Sequence, residues 1–187
     1  MSILTGIAII GKSNEPLYLC DCECLDSSGS SGSATQTPLP EENDPFGFSS
    51  MHSEQRNSLP LQRQIIAHAA LDCLEEMVQS SVTGQMPVIR NSTRSAPHWV
   101  GLLLETIDGQ AVYGYITATN IKFMALTRDR KCEPKVMQIF LKELHQHYSA
   151  YVSNPFCNTR GPIISKQFDA RITRSVAKFQ QPEMIVD

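Results

Sequence analysis

His98–Thr127 reads HWVGLLLETIDGQAVYGYITATNIKFMALT. Three runs in it, Trp99–Thr106, Ala111–Thr119 and Ile121–Thr127, are rich in Val, Ile, Leu, Thr, Tyr and Phe. Those residue types fit a pleated surface, so each run is read as a strand. Asp108-Gly109 separates the first two and tolerates the positive φ of a tight hairpin. Asn120 breaks the second from the third and tolerates left-handed geometry. The stretch is therefore a three-stranded antiparallel meander. A strand with one face in water alternates apolar and polar residues. Here Val100, Leu102 and Leu104 alternate with Trp99, Gly101 and Leu103, and Val112, Ile116 and Ala118 oppose Tyr113, Tyr115 and Thr117. Neither face is charged, so the sheet must be covered on both sides.

The flanking chain supplies that cover. Ile3–Gly11 is short, β-branched and apolar on every position that matters, as a central strand should be. After the turn Gly11-Lys12-Ser13-Asn14, Pro16–Cys22 reads as its hairpin partner, with Pro16 tolerated at the strand start. Residues 23–58 are rich in Ser, Gly and Pro and are acidic, and are expected to be a disordered insertion. Phe46 and Phe48 within it are read as sparse hydrophobes rather than a docking motif. Leu59–Gln79 is the first helix, with Ser58 as N-cap and Pro60 in the first turn. Ile66, Ala67, Ala70, Leu71, Cys73, Leu74, Met77 and Val78 give it a wide apolar face, leaving a narrow polar strip of His68, Asp72 and Glu75. Residues 80–97 form a second loop insertion, with Gly84, Pro87 and Pro97 as breakers. Pro134–Val152 is the second helix, ended by Asn154-Pro155. Ser165–Gln180 is the third, capped by Ser165, with Phe168, Ile172, Val176 and Phe179 as its apolar stripe. The order is ββαβββαα, an α+β sandwich with one helix for one face and two for the other.

Composition narrows the function classes. At 187 residues and 41% hydrophobic, the chain is one domain with a proper core. A net charge of −3 argues against nucleic acid. No run of 18 apolar residues is present, so no transmembrane helix is expected. The N-terminus lacks the basic region and cleavage site of a signal peptide. Six cysteines without framework spacing suggest reduced thiols in the cytosol.

No motif carries chemistry. P-loop, HExxH and GxSxG patterns are absent, and no catalytic residue or cofactor is expected. Cys20, Cys22 and Cys24 alternate, which on a strand spaces same-face thiols about 6.8 Å apart per step, too far for zinc without a bend. His145 and His147 lie two apart on a helix, so their rings diverge, and His147 reads as a partly buried core residue. His68 and Asp72 are four apart and suit a local pair. Arg171, Arg174 and Lys178 are read as the solvated side of an amphipathic helix, rather than a site for an acidic partner or anionic lipid.

Several stretches together resemble the sedlin family of TRAPP (transport protein particle) complex subunits, most closely its subunit 2-like branch. They are EPLYL at Glu15–Leu19, HAALDCLEE at His68–Glu76, GLLLETIDGQAVYGYITATNIKF at Gly101–Phe123, FLKELHQHYSAYVSNPF at Phe140–Phe156 and ISKQF at Ile164–Phe168. The resemblance covers nearly everything but the two loops. It implies a longin-like fold: a five-stranded antiparallel sheet with one helix on one face and two on the other. It also implies a non-catalytic subunit of a vesicle-tethering assembly in endoplasmic reticulum-to-Golgi and Golgi traffic. Its partners would be other TRAPP subunits and, indirectly, Rab-type GTPases, on which the whole assembly promotes nucleotide exchange. The location implied is cytoplasmic and peripheral at those membranes. Asp72 falls at the family's Leu-Asp position, and His68, Asp72 and Glu75 are the candidate partner-binding residues. Asn154-Pro155-Phe156 falls at its NPF position, where Phe156 is expected to plug the core. The alternative is a longin-type adaptor that binds a SNARE or peptide segment in an apolar groove. Only seven residues follow the last helix, and they contain no SNARE coiled coil.

Overall fold

The elements occur in the order β1 (Leu4–Ile10), β2 (Pro16–Asp21), α1 (Leu61–Val82), β3 (His98–Glu105), β4 (Ala111–Ile116), β5 (Lys122–Thr127), α2 (Pro134–Val152) and α3 (Lys166–Gln180). They come from a computed structural model that describes residues 4–23, 59–82, 98–128, 132–157 and 161–180. The Ser-rich insertion apart from Glu23, with Cys24, Phe46, Phe48 and Ser58 in it, and nearly all of the second loop lie outside the described residues.

The strands form one antiparallel sheet in the order β2-β1-β5-β4-β3. The N-terminal hairpin and the meander thus join through β1 and β5, with Ile7 opposite Ala125 and Ile9 opposite Phe123. This seam explains why β1 is apolar but for Thr5, whose hydroxyl donates to the Leu126 carbonyl. It has a neighbour on each side and helices on each face, and all seven of its residues are buried. Alternate residues feed two cores. Leu4, Ile7, Ile9, Tyr113, Tyr115 and Phe123 pack against Phe140, Leu144, Phe168 and Ile172 of the helix pair. Ala8, Ile10, Val112, Ile116 and Met124 pack against Ala67, Ala70, Leu71 and Leu74 of α1. Each large side chain buried contributes roughly 1.5–3 kcal/mol before ordering entropy is subtracted. The expected longin-like α+β arrangement is present, one helix on one face and two on the other.

The turns follow the expected chemistry. Gly109 has φ 82° and its N–H bonds the Thr106 carbonyl at 3.0 Å, closing the β3–β4 hairpin. Asn120 has φ 62°. The strands on either side of it are shorter than the sequence suggests. The Thr117 N–H bonds the Ile121 carbonyl at 2.9 Å and its Oγ1 accepts the Ile121 N–H, so residues 117–121 form a turn rather than strand.

β3 departs from strict alternation. Its pairing with β4 slips between Trp99 and Gly101 and again between Leu102 and Leu104, and Gly101 has φ 98°. Each bulge adds a residue without a partner and turns the following side chains over. Leu102 therefore joins Trp99 at the helix-pair face, while Val100, Leu103 and Leu104 all reach the α1 face. The simple alternation read from the sequence is corrected accordingly. Opposite them, a Cβ on Gly114 would sit 2.6 Å from Leu103 Cδ1, so this β4 position requires glycine for close approach.

α1 begins one residue after Pro60, whose carbonyl accepts the Gln64 N–H at 3.0 Å, and it runs three residues past the expected end at Gln79. Ser165 caps α3 as expected, with its Oγ accepting the Phe168 N–H at 3.3 Å. Among the described residues no helix is long and apolar enough to cross a membrane.

Candidate interaction surface

One side of α1 is fixed to the sheet, and the other carries apolar residues into solvent. Ala70 and Leu74 are fully buried against the sheet. The opposite stripe runs Leu61, Ile65, His68, Asp72 and Glu76, at spacings of three and four that keep one helix face. Leu61 is 72% exposed and Ile65 62% exposed. The face is thus apolar over its first turns and acidic further along. Met77 and Cys73, expected in the core, are 38% exposed and half-buried respectively, because the helix meets the sheet along a narrower line than its apolar width.

Two polar clusters hold this helix in place. Near its N-terminus Arg63 Nη1 donates to Asp21 Oδ1 at 2.5 Å and to the Thr5 carbonyl at 3.1 Å, and Nη2 donates to Glu23. Arg128 reaches the same Glu23 carboxylate. Burial works to raise the Glu23 carboxyl, but the hydrogen bonds from Arg63 and Arg128 outweigh it and hold it below the usual range. Near the C-terminus Glu75 Oε1 accepts from Asn14 Nδ2 at 2.8 Å and from Lys122 Nζ at 3.1 Å. Lys122 Nζ also donates to Asn14 Oδ1, and its side chain is only 7% exposed. The Asn14 bond, then that from Lys122, holds the Glu75 carboxyl below its ordinary value. Asn14 has φ 65°, the geometry of the β1–β2 turn.

The three residues singled out from the sequence therefore divide. His68 and Asp72 stand exposed on the outward face, and no hydrogen bond or ion pair joins them. Glu75 turns towards the end of the sheet and is engaged there by Asn14 and Lys122. Sequence reasoning passed over Leu61 and Ile65. Their signal was present, since both fall on the side of the polar strip at helical spacing from His68 and Asp72.

The other candidates are internal. His145 points to the sheet, where its Nδ1 lies 3.3 Å from the Tyr115 hydroxyl and its ring 5.6 Å from that of Phe123. His147 points to α3, with Nε2 2.9 Å from Ser175 Oγ. Ser175 donates to Glu143 Oε1 at 2.9 Å, so its oxygen accepts from His147. That is the reverse of a nucleophile–base pair, where histidine takes the hydroxyl proton, and Ser175 is 3% exposed. Burial lowers both histidines from their ordinary value. Cys20, in β2, and Cys22, just past its end, share the helix-pair core. Their mutual hydrogen bond pushes Cys22 up and Cys20 down. Among the described residues no three His, Cys, Asp or Glu side chains converge as a metal set would. On α3, Arg174 and Lys178 are exposed and Arg171 is half-buried.

Phe156 does not plug the core as expected: it is 95% exposed. The turn that ends α2 carries the ring outward, and Ile163 enters the core instead, its N–H bonded to the Leu17 carbonyl at 2.7 Å. Shallow clefts mark the surface among the described residues. One of about 280 Å³ lies between Tyr151, Phe156, Pro162 and Ile164, and one of about 220 Å³ between Leu74, Glu75, Val78 and Lys122.

The sequence model of the sedlin family matches residues 9–178, from within β1 to within α3. The chain belongs to the sedlin family. Among its relatives is the trafficking protein particle complex subunit 2-like protein of Dictyostelium discoideum, 28% identical over 177 residues, covering 94% of this chain and 98% of that protein. The subunit 2-like protein of Bos taurus is 28% identical over 169 residues, 89% of this chain and 92% of that one. The transport protein particle 20 kDa subunit of Schizosaccharomyces pombe is 25% identical over 115 residues, 62% of this sedlin-family chain and 71% of the yeast one. For this sedlin chain, then, the outward face of α1 is a surface on a fold whose named relatives are subunits of a trafficking particle.

Proposed function

We propose that this chain is a non-catalytic subunit of a TRAPP-type vesicle-tethering complex and works by burying the outward face of α1 against a neighbouring subunit. The observation that carries the reading is the pair Leu61 and Ile65, held in solvent on a helix pinned at both ends. Exposed apolar side chains gathered on a rigid element suit a protein–protein contact. His68 and Asp72 continue the same face and supply its polar part, while Glu75 supports it from behind. The names of the relatives favour a trafficking-particle subunit as the setting. In this reading the assembly serves endoplasmic reticulum-to-Golgi and Golgi transport as an exchange factor for Rab-type GTPases. The chain would be cytoplasmic and would meet membranes through the complex. An adaptor holding a peptide in an apolar groove has less support, since both clefts are shallow and one is lined by Glu75 and Lys122.

The test is reconstitution with the other subunits, comparing the wild-type chain with Asp72→Tyr by size-exclusion chromatography. The variant is expected to fold and to drop out of the complex, because a bulky ring replaces an exposed carboxylate at the contact. A folded variant that still co-elutes would place Asp72 outside the interface.

A further inference from the structure

The turn after α2 is held by its own hydrogen bonds. Asn154 Oδ1 accepts the Phe156 N–H at 3.0 Å, and the Asn154 carbonyl accepts the Cys157 N–H at 3.1 Å. With Pro155 fixing the residue between, these bonds lock Asn154-Pro155-Phe156 into a tight Asx turn. The turn is rooted in the core. Its preceding N–H groups, of Ser153 and Asn154, bond to the Ser149 and Tyr151 carbonyls at 2.9 and 3.1 Å. Tyr151 in turn packs its ring 5.6 Å from Phe168. At the tip of this rigid mount stands a phenyl ring that is 95% exposed, with Ile164 beside the adjoining cleft at 87%. A large apolar group held out on a fixed support marks a contact surface.

We propose that the Asn154–Phe156 turn is a docking knob, separate from α1, read by a partner protein through an apolar pocket that admits one phenyl ring. Three features select that occupant. A single protruding ring fits a concave receptor rather than a flat one. The Asx bonds fix the backbone before binding, so little ordering entropy is lost and a small contact suffices. Residues 151–157 contain no Asp, Glu, Lys or Arg, so the knob offers no charge to attract lipid headgroups or phosphates. A second copy of the chain is a poorer receptor. Its cleft beside Leu74, Val78 and Ile116 also holds Lys12, Glu75 and Lys122, whose charges an inserted ring would strip of water.

The probe is a purified EH domain, a helical module whose apolar pocket accepts an Asn-Pro-Phe turn, titrated calorimetrically into the full chain. Saturable binding is expected, weakened roughly 10- to 100-fold by Phe156→Ala, the loss typical of a buried aromatic anchor. Asn154→Ala keeps the ring but frees the turn, and an intermediate loss is expected. Ile107→Ala, at another exposed apolar residue, should change nothing. Absence of binding by the wild-type chain, or equal binding by Phe156→Ala, would overturn the proposal. So would a Phe156-dependent self-association in sedimentation, or Phe156-dependent flotation with phosphatidylserine vesicles, in place of EH-domain binding. A Phe156→Ala chain that failed to fold would overturn it too, by returning the ring to a structural role.

Discussion

Trimming both apolar residues of the α1 face, Leu61→Ala with Ile65→Ala, separates binding from stability. Full burial of a Leu or Ile side chain is worth about 1.5–3 kcal/mol. At 72% and 62% exposure, roughly two-thirds of that area is still available to a partner, or about 1–2 kcal/mol for each residue. Alanine keeps a methyl group, so the double variant should lose about 2–3 kcal/mol of association free energy. At about 1.4 kcal/mol per tenfold, that is a rise in Kd of roughly 30- to 150-fold. The isolated chain loses almost no buried area and gains two strong helix formers, so its own stability should stay within about 0.5 kcal/mol. Calorimetric titration against the neighbouring subunit gives the first number and a thermal melt the second. A Kd that changes less than about threefold, with an unshifted Tm, would refute the assignment of this face. A large fall in Tm would mean that the residues are structural, against their observed exposure.

Other outcomes follow from the interior. Gly114→Ala forces a Cβ against Leu103, and such overpacking should cost about 1–3 kcal/mol in a denaturant melt. The half-buried His145 and His147 bind a proton less readily than in the unfolded chain. Stability should therefore fall as pH drops below their unfolded value of about 6.5, and melts of His145→Gln with His147→Gln should show a shallower decline. Glu75 shifts in the same direction for a different reason, its charged form being held by Asn14 and Lys122 so that its folded pKa lies below the ordinary carboxylate value. Its contribution is present above about pH 4.3 and is lost as pH falls through the folded value, so Glu75→Gln should lower Tm at neutral pH and converge with wild type in acid.

The fold was legible where one force dominated. The apolar run of β1 and the meander faces, with little charge on either, could only mean a sheet covered on both sides, and the helix periodicities named the cover. Asp108-Gly109, Asn120 and Ser165 fixed their turns and cap through local chemistry that needs no tertiary context. β3 was misread because a bulge is a property of the pair of strands; Gly101 alone does not announce it. Phe156 was misread because helical termination and core packing compete, and only the path of the chain to Ile163 decides which residue goes inside. The partners of Glu75, at Asn14 and Lys122, are 61 and 47 positions away, beyond any local pattern. His68 and Asp72 were visible as a polar strip. The apolar half of that face was hidden because Leu61 and Ile65 belonged to neither the apolar face nor the polar strip that the sequence outlined.

Affinity purification of the tagged chain from its native cells, with mass spectrometry of what accompanies it, tests the central claim most directly. A TRAPP subunit must return with the other TRAPP subunits in stoichiometric amounts, and lose them when Leu61 and Ile65 are both alanine. A folded chain that comes back alone, or with SNAREs and no TRAPP subunit, would contradict the account.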